Sequence, residues 1–312
     1  MPVSRDAIWD IARGLGFASM GVTLPSRALP LPGREPKPLG FEPRSIIVMI
    51  YPTFRWEPAP PDQVDIVGAY IGMNQAHLRG GRWVEALRAL GVQAERLTAV
   101  RAKTAALNAG LGVYRANTLL YTERQGSYHS IQVFAVSEEY EPDEPSRCGN
   151  PERASLAPGC KECGRCASIC PTGALDGKGG IVIERCIRFH MFSGRVVPIE
   201  YRRLMGRRLI GCEVCQMVCP AQPQSIEIRR REDWDWPRLE NLLEPSRQTL
   251  DSFGDAIGYN YARAHRIQAQ AAIIAGNLCG KRYLPAIERL AVSSDGVVSE
   301  HAQWAAERIR YG

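Results

Sequence analysis

Apolar residues recur at three- and four-residue spacing over residues 8–15, 67–90 and 99–109, and each stretch predicts an amphipathic helix. An apolar run, Ser45-Ile-Ile-Val-Met-Ile50, lies between the first two, and the run Ser130-Ile-Gln-Val-Phe-Ala-Val136 follows the third; both predict strands. Helix and strand signals that interleave in this way predict an α/β domain over residues 1–147. A stretch rich in Pro, Glu and Gly, residues 139–158, reads as a linker. Residues 148–231 carry little periodicity and predict a loop-rich segment. Beyond residue 232 the helical spacing returns over 255–278, 283–292 and 297–311, with Gly280 and the turn Ser293-Ser-Asp-Gly296 as breaks. Helix pairs of this kind read either as a HEAT-like unit or as a small helical cap on the rest of the chain.

The 312 residues, 45% of them hydrophobic, suffice for two or three modest cores. Residues 1–23 mix Arg5, Asp6, Asp10 and Arg13 into apolar spacing, which suits an amphipathic helix better than a secretory signal. No run of about twenty apolar residues predicts a membrane span. The formal net charge is +6, unevenly spread: ten arginines lie between residues 185 and 231 (Arg185, Arg188, Arg195, Arg202, Arg203, Arg207, Arg208, Arg229, Arg230 and Arg231), against Glu200, Glu213 and Glu227. Two roles are open to them: offsetting negative charge within the protein, or meeting the phosphates of a nucleic acid.

The chemistry is in the cysteines. Eight of ten fall into Cys160-x2-Cys163-x2-Cys166-x3-Cys170-Pro171 and Cys186 followed by Cys212-x2-Cys215-x3-Cys219-Pro220. That is the spacing of a two-cluster 4Fe–4S protein, in which the last cysteine of each run ligates the other cluster. The rule gives Cys160, Cys163, Cys166 and Cys219 to cluster 1. It gives Cys170, Cys186, Cys212 and Cys215 to cluster 2. Zinc ribbons use paired C-x2-C units and have no place for the further Cys-Pro, and disulfide frameworks belong to short secreted chains. Cys148 and Cys279 remain as ordinary thiols. Oxygen-sensitive clusters predict a cytoplasmic protein, and no glycine-rich phosphate fingerprint points to nicotinamide or ATP.

With these segments in place, the chain resembles the epoxyqueuosine reductase family, corrinoid iron–sulfur enzymes related to reductive dehalogenases. The resemblance is carried by Ala109-Gly-Leu-Gly112, Asn117-Thr-Leu-Leu120, Gly126-Ser-Tyr128, Cys170-Pro-Thr-Gly-Ala174 and Gly211-Cys-Glu-Val-Cys-Gln-Met-Val-Cys-Pro220. In the tail it rests on residues 266–280, Leu284-Pro-Ala-Ile-Glu-Arg-Leu290 and Glu300-His-Ala-Gln-Trp-Ala305. It implies a nitroreductase-like corrinoid-binding domain, a two-cluster ferredoxin-like domain and a HEAT-like end that meets tRNA. It further implies two 4Fe–4S clusters, cobalamin, an external donor of ferredoxin or flavodoxin type, a monomer and no membrane.

Carried over residue by residue, the resemblance implies corrinoid contacts from Asn117, Thr118, Arg188, His190, Ser193, Glu213 and Val214. The family's catalytic aspartate falls on Arg96, with Glu95 one residue out of register; arginine keeps its proton near neutral pH, so it acts as an electrostatic clamp rather than an acid. Where the family shows Trp-Ile-Gly-Lys, this chain has Val113-Tyr-Arg-Ala116, which introduces Tyr114 as a further candidate proton donor and Arg115 as a new charge. These departures describe a divergent paralogue. Two other classes stay open: a two-cluster electron carrier without corrinoid, and an RNA-binding module with structural clusters.

Overall fold

The computed structural model describes residues 2–60, 63–146 and 156–312. Its first helix, α1 (Arg5–Gly14), begins where Ser4 accepts the Ala7 amide at 3.2 Å, with Asp6 in the first turn and Arg13 in the last, as the helix dipole favours. The amphipathic stretch expected to run to residue 23 ends there, and its remainder forms strand β1 (Ser19–Thr23).

β2 (Ser45–Pro52) is the centre of the first layer. Ile47, Met49 and Tyr51 enter one core, while Ile46, Val48 and Ile50 enter another. Both faces are covered, which is why the run is continuously apolar rather than alternating. Short strands β3 (Arg55–Trp56) and β4 (Asp65–Ile66) follow, then α2 (Gly68–Ala89), β5 (Ala94–Arg96) and α3 (Ala102–Asn108). A hairpin, β6 (Val113–Tyr114) with β7 (Leu120–Tyr121), precedes β8 (His129–Val136). The sheet has the order β1-β2-β8-β5, and every pairing is antiparallel. The mixture of helix and strand is as expected, but the strands do not form the parallel sheet that βαβ alternation would give. α1 and α2 cover one face through Ile8, Ala12, Trp83 and Leu87; α3 and the hairpin cover the other through Ala105, Leu107, Tyr114 and Leu120.

The cysteine-bearing stretch contains α4 (Arg165–Ser168), α5 (Ile187–His190), α6 (Ile199–Met205), β9 (Arg208–Ile210) and α7 (Val214–Met217), and β10 (Ile228–Arg229) closes it. β9 pairs in parallel with β4, and β10 with β3. The tail is helical: α8 (Leu239–Leu243), α9 (Arg247–Ile257), α10 (Ala264–Leu278), α11 (Leu284–Ala291) and α12 (Gly296–Tyr311). The single helix expected over 255–278 is two, because Gly258 takes φ +98°, a conformation closed to residues with a Cβ, and stops α9. Among the described residues no helix is long and apolar enough to cross a membrane.

The largest core joins distant parts of the chain. Phe54, Trp56, Ile66 and Tyr70 share it with Ile187, Phe192, Met205 and Ile210, and with Ile273, Ile287 and Ala302 of the tail. Arg231, 5% exposed, locks this junction: it pairs with Asp65 at 2.7 Å, bonds the carbonyl of Glu57 at 3.2 Å and lies 3.8 Å over the Trp236 ring.

His301 is a second lock. Its Nε2 accepts the Val197 amide at 2.9 Å, so its other nitrogen carries the proton and donates to the Ala269 carbonyl at 3.2 Å. Burial, with help from the nearby Arg202 charge, holds the imidazole down to about 4. The unfolded chain, near 6.5, therefore binds this proton first as pH falls, so the contribution to stability is complete above about pH 6.5 and declines towards pH 4. Between pH 7 and 5 the parent protein should lose on the order of 2 kcal/mol more stability than His301→Asn in urea unfolding. Equal losses in the two proteins would show that the folded imidazole already carries the proton.

Candidate cluster and cofactor site

Turns rather than long elements present the cysteines. Cys166 lies in α4, Cys186 begins α5, and Cys215 lies in α7. One cavity is walled by Cys160, Cys163 and Cys166 together with Cys219 from the far end of the segment, and Arg115 and Asn117 complete the wall. Burial pushes the Cys166 thiol up, and the thiols of Cys219 and Cys160 push it further. A second group forms around Cys212, raised first by burial and then also by Cys186 and Cys170. Cys215 is pushed up to about 12, by burial and then by Cys212, Cys166, Cys186 and Cys170. The two groups adjoin where α4 packs on α7.

Thiols raised by burial and by one another stay protonated alone and ionise when a cation is bound beside them. A cubane places its thiolates on separate irons, so it needs a ring around a body rather than convergence on a point. Among the described residues no three His, Cys, Asp or Glu side chains come together tightly enough for a single metal ion. Cys170 differs from its neighbours: burial opposes ionisation, yet backbone amides of Thr172, Ala174 and Leu175 hold the thiol below its ordinary value, Ala174 N lying 3.3 Å from its Sγ. Cys279 ends α10 in a left-handed conformation and donates to the Gly276 carbonyl at 3.3 Å. Cys148 lies outside the described residues.

The polar residues around this centre fall into three places. The β6–β7 hairpin brings Asn117 and Thr118 to the cysteines. Asn117 Nδ2 donates to the Tyr121 hydroxyl at 2.8 Å and to the Cys215 carbonyl at 3.3 Å, and burial together with the Cys219 thiol raises Tyr121. Thr118 has φ +63°, a strained conformation for a β-branched residue, and Lys103 Nζ holds it by donating to its carbonyl at 2.5 Å. That ammonium also lies 5.6 Å from the centre of the Tyr114 ring, and burial lowers its pKa while raising that of Tyr114.

At the N-terminus of α7, Glu213 is raised by burial despite the opposing charge of Arg55. Its carboxyl faces the Tyr128 hydroxyl, which burial and the Glu213 charge raise, while Arg55 Nε is buried without a hydrogen-bond partner. Val214 turns its amide to the Cys212 thiol. The loop after Cys186 holds the rest. Arg188 lies 5.5 Å from the ring centre of Tyr70, which is pushed up to about 12 by burial with Arg188 opposing. His190 donates to the Glu184 carbonyl at 2.7 Å and stacks on Tyr201, while Ser193 Oγ accepts the Arg195 amide at 3.2 Å. His190 and Ser193 line a separate cavity against α10 and α12.

Glu95 and Arg96 do not act together. Antiparallel partners share a face, and Arg96 pairs with Phe134 on the α2 side while Glu95 pairs with Ala135 on the α3 side. Arg96 is bound to α2: its Nη1 lies 2.6 Å from His77 Nδ1, its Nη2 donates to the His77 carbonyl, and its guanidinium covers the Phe134 ring. Arg55, Lys103 and Tyr121 went unnoticed in the sequence because nothing local marks them; Tyr121, one residue beyond the Asn117-Thr-Leu-Leu120 motif, had the nearest signal, while Tyr128 was marked only as the end of Gly126-Ser-Tyr128 and without a role.

Comparison with known proteins agrees with this geometry. Residues 159–222, which contain all eight cysteines, match the 4Fe–4S double cluster binding domain family. An epoxyqueuosine reductase of Lactococcus garvieae (strain Lg2) is 29% identical over 212 residues, 65% of this chain and 57% of that protein. The chain spans 53–61% of the length of the first curated relatives it matches. The fold is also that of a selenomethionine-labelled epoxyqueuosine reductase, with a TM-score of 0.79 and 20% identity over 98% of this chain and 90% of the other. The chain thus resembles epoxyqueuosine reductases in sequence and shares their fold. An epoxyqueuosine reductase solved with an epoxyqueuosine-modified tRNA-Tyr stem loop has the same fold, with a TM-score of 0.76, 20% identity and the same coverage.

Within the epoxyqueuosine reductase fold, then, this chain has bound its Arg96 to a helix. His77 is lowered first by burial and then by the Arg96 charge. Arg96→Ala should raise the pKa of His77, followed by NMR titration of the imidazole; an unmoved titration would place the guanidinium elsewhere in solution.

Proposed function

We propose that this chain is an oxidoreductase of the epoxyqueuosine reductase type, holding two 4Fe–4S clusters and a corrinoid. One observation supports the reading above others: Cys219 stands in the same cavity wall as Cys160, Cys163 and Cys166, the crossing that a two-cluster protein requires. Those four would hold cluster 1, and Cys170, Cys186, Cys212 and Cys215 cluster 2. The clusters would take electrons singly from an external donor of ferredoxin or flavodoxin type, and the corrinoid would supply the reducing cobalt chemistry.

The residues present suit a corrinoid in one respect that this chain itself supplies. The unpartnered Arg55 Nε, with the Tyr128–Glu213 pair beside the second thiol group, offers donors and an acceptor to an amide-rimmed ligand. Asn117, Thr118 and Val214 border the cysteines from the other sides and would orient the group, while Arg188, His190 and Ser193 would close the loop after Cys186. The tail helices α9 to α12, read as a HEAT-like unit, would meet tRNA, as the stem-loop complex of the related reductase suggests. The substrate is epoxyqueuosine in tRNA or another reducible group, and the arginine at position 96 favours the second. A proton then has to come from another group, with Tyr114 and Glu95 the candidates named by position.

A second reading, an electron carrier without corrinoid, draws on the internal hydrogen bonds that Asn117 and His190 already make. Anaerobic reconstitution with iron, sulfide and cobalamin separates the two: about eight irons with one cobalt per chain supports the reductase, and about eight irons with no cobalt supports the carrier. Cys186→Ser should hold about four irons and lose one cluster signal in electron paramagnetic resonance. Retention of about eight would overturn the ligand assignment.

A further inference from the structure

Arg115 is placed against the first thiol group by three elements at once. The hairpin fixes its backbone, with its amide donating to the Leu119 carbonyl at 3.1 Å and its own carbonyl accepting from the Thr118 amide at 2.9 Å. The turn bearing Cys160 is tied to the same hairpin, because the Ala157 amide donates to the Tyr114 carbonyl at 3.1 Å and Ala116, Ala157 and Cys160 pack together. The guanidinium then reaches across: Nη1 lies 3.6 Å from Cys160 Sγ, and the group lies 5.3 Å from the centre of the Tyr121 ring. Its Nε is buried without a partner, and Cys160 itself is 7% exposed.

A cation in that position acts on redox chemistry. One-electron reduction adds a negative charge to a group already negative from its four thiolates, so a fixed positive charge stabilises the reduced form more than the oxidised one. An N–H directed at a ligating sulfur acts in the same direction, and a charge-assisted hydrogen bond does so more strongly than a neutral one. The partial burial of the pair limits screening by water.

We propose that Arg115 raises the reduction potential of cluster 1 by holding its guanidinium against the Cys160 thiolate. Arg115 is on this account a positioning and electrostatic residue for electron entry, not a group that touches substrate. The proposal rests on the two-cluster reading above.

The test uses the full chain, reconstituted anaerobically with iron and sulfide, with iron counted before each measurement. Dithionite supplies the electrons, and reduction is followed by electron paramagnetic resonance at controlled potential. Cys186→Ser, which keeps cluster 1 alone, identifies its signal. Arg115→Gln should weaken cluster 1 as an electron acceptor about tenfold, a fall of about 59 mV for one electron, with cluster 2 unmoved. Arg115→Lys, which keeps the charge but not the forked donor, should give a smaller fall. An unmoved cluster 1 potential in Arg115→Gln overturns the proposal, as does an equal fall at both clusters. If Arg115→Gln fails to hold about eight irons, Arg115→Lys decides alone: a selective fall supports the proposal and a parent-like potential overturns it. Fewer than about eight irons in the parent would sink the two-cluster reading, and the iron count shows which of the two has failed.

Discussion

The segment that carries the eight cysteines has almost no core of its own. Its private cluster is Ala157 and Cys160 against Ala116 of the hairpin, with a few half-buried neighbours. Its helices α4, α5 and α7 are four residues long, too short to be stable in isolation. Shape must therefore come from both flanks. On one side the β3–β10 and β4–β9 pairings and the Asp65–Arg231 ion pair hold its far end to the first domain. On the other, Ile187, Met191, Phe192 and Val197 sink into the core built by α10 to α12. The helical tail is thus a wall for the loop between Cys186 and Cys212, whatever else it contacts.

The arginine run shows the same economy of charge. Arg202 is buried, donating to the Val197 carbonyl at 2.9 Å and pairing with Glu300 at 3.0 Å. Arg207 bonds carbonyls of residues 59, 60 and 63, and Arg208 those of Leu204 and Met205. Arg229 pairs with Glu227 and covers Phe54 at 3.7 Å. A guanidinium satisfies several carbonyls at once, which suits chain crossings where regular structure is scarce. Much of the run therefore has internal partners, and its density in sequence overstates the charge offered to a polyanion.

Elements with strong periodicity were legible in the sequence, because period and burial are the same fact seen twice. The apolar run of β2 and the long spacing of α2 are of this kind. The cysteine spacing was legible because ligation chemistry fixes it. The break at Gly258 was not, since glycine inside a helical pattern reads as tolerated until its φ is known. Nor was the parting of Glu95 from Arg96 to opposite faces, which depends on a strand three residues long pairing with β8. The cluster of Arg55, Tyr128 and Glu213 joins three stretches of chain with no shared motif. Glu213 and Tyr128 lie in stretches the sequence marks, but their meeting with Arg55 belongs to tertiary structure and leaves no local trace.

The hairpin over residues 113–121 is where these strands of argument meet. It reaches Cys160 through Arg115, the Cys215 carbonyl through Asn117 and Cys219 through Tyr121, so it touches both ends of the cysteine segment. Its tip is strained at Thr118 and held by a buried lysine, which makes its position over-determined rather than adaptable. Val113-Tyr-Arg-Ala116 is part of the same hairpin. Substitution at those positions acts first on the surroundings of the first thiol group, because that is what the side chain of Arg115 touches. Arg96 lies instead beneath α2 on the other face of the sheet. The two places are therefore physically separate, one beside the first thiol group and the other on the helix-covered face of the first domain.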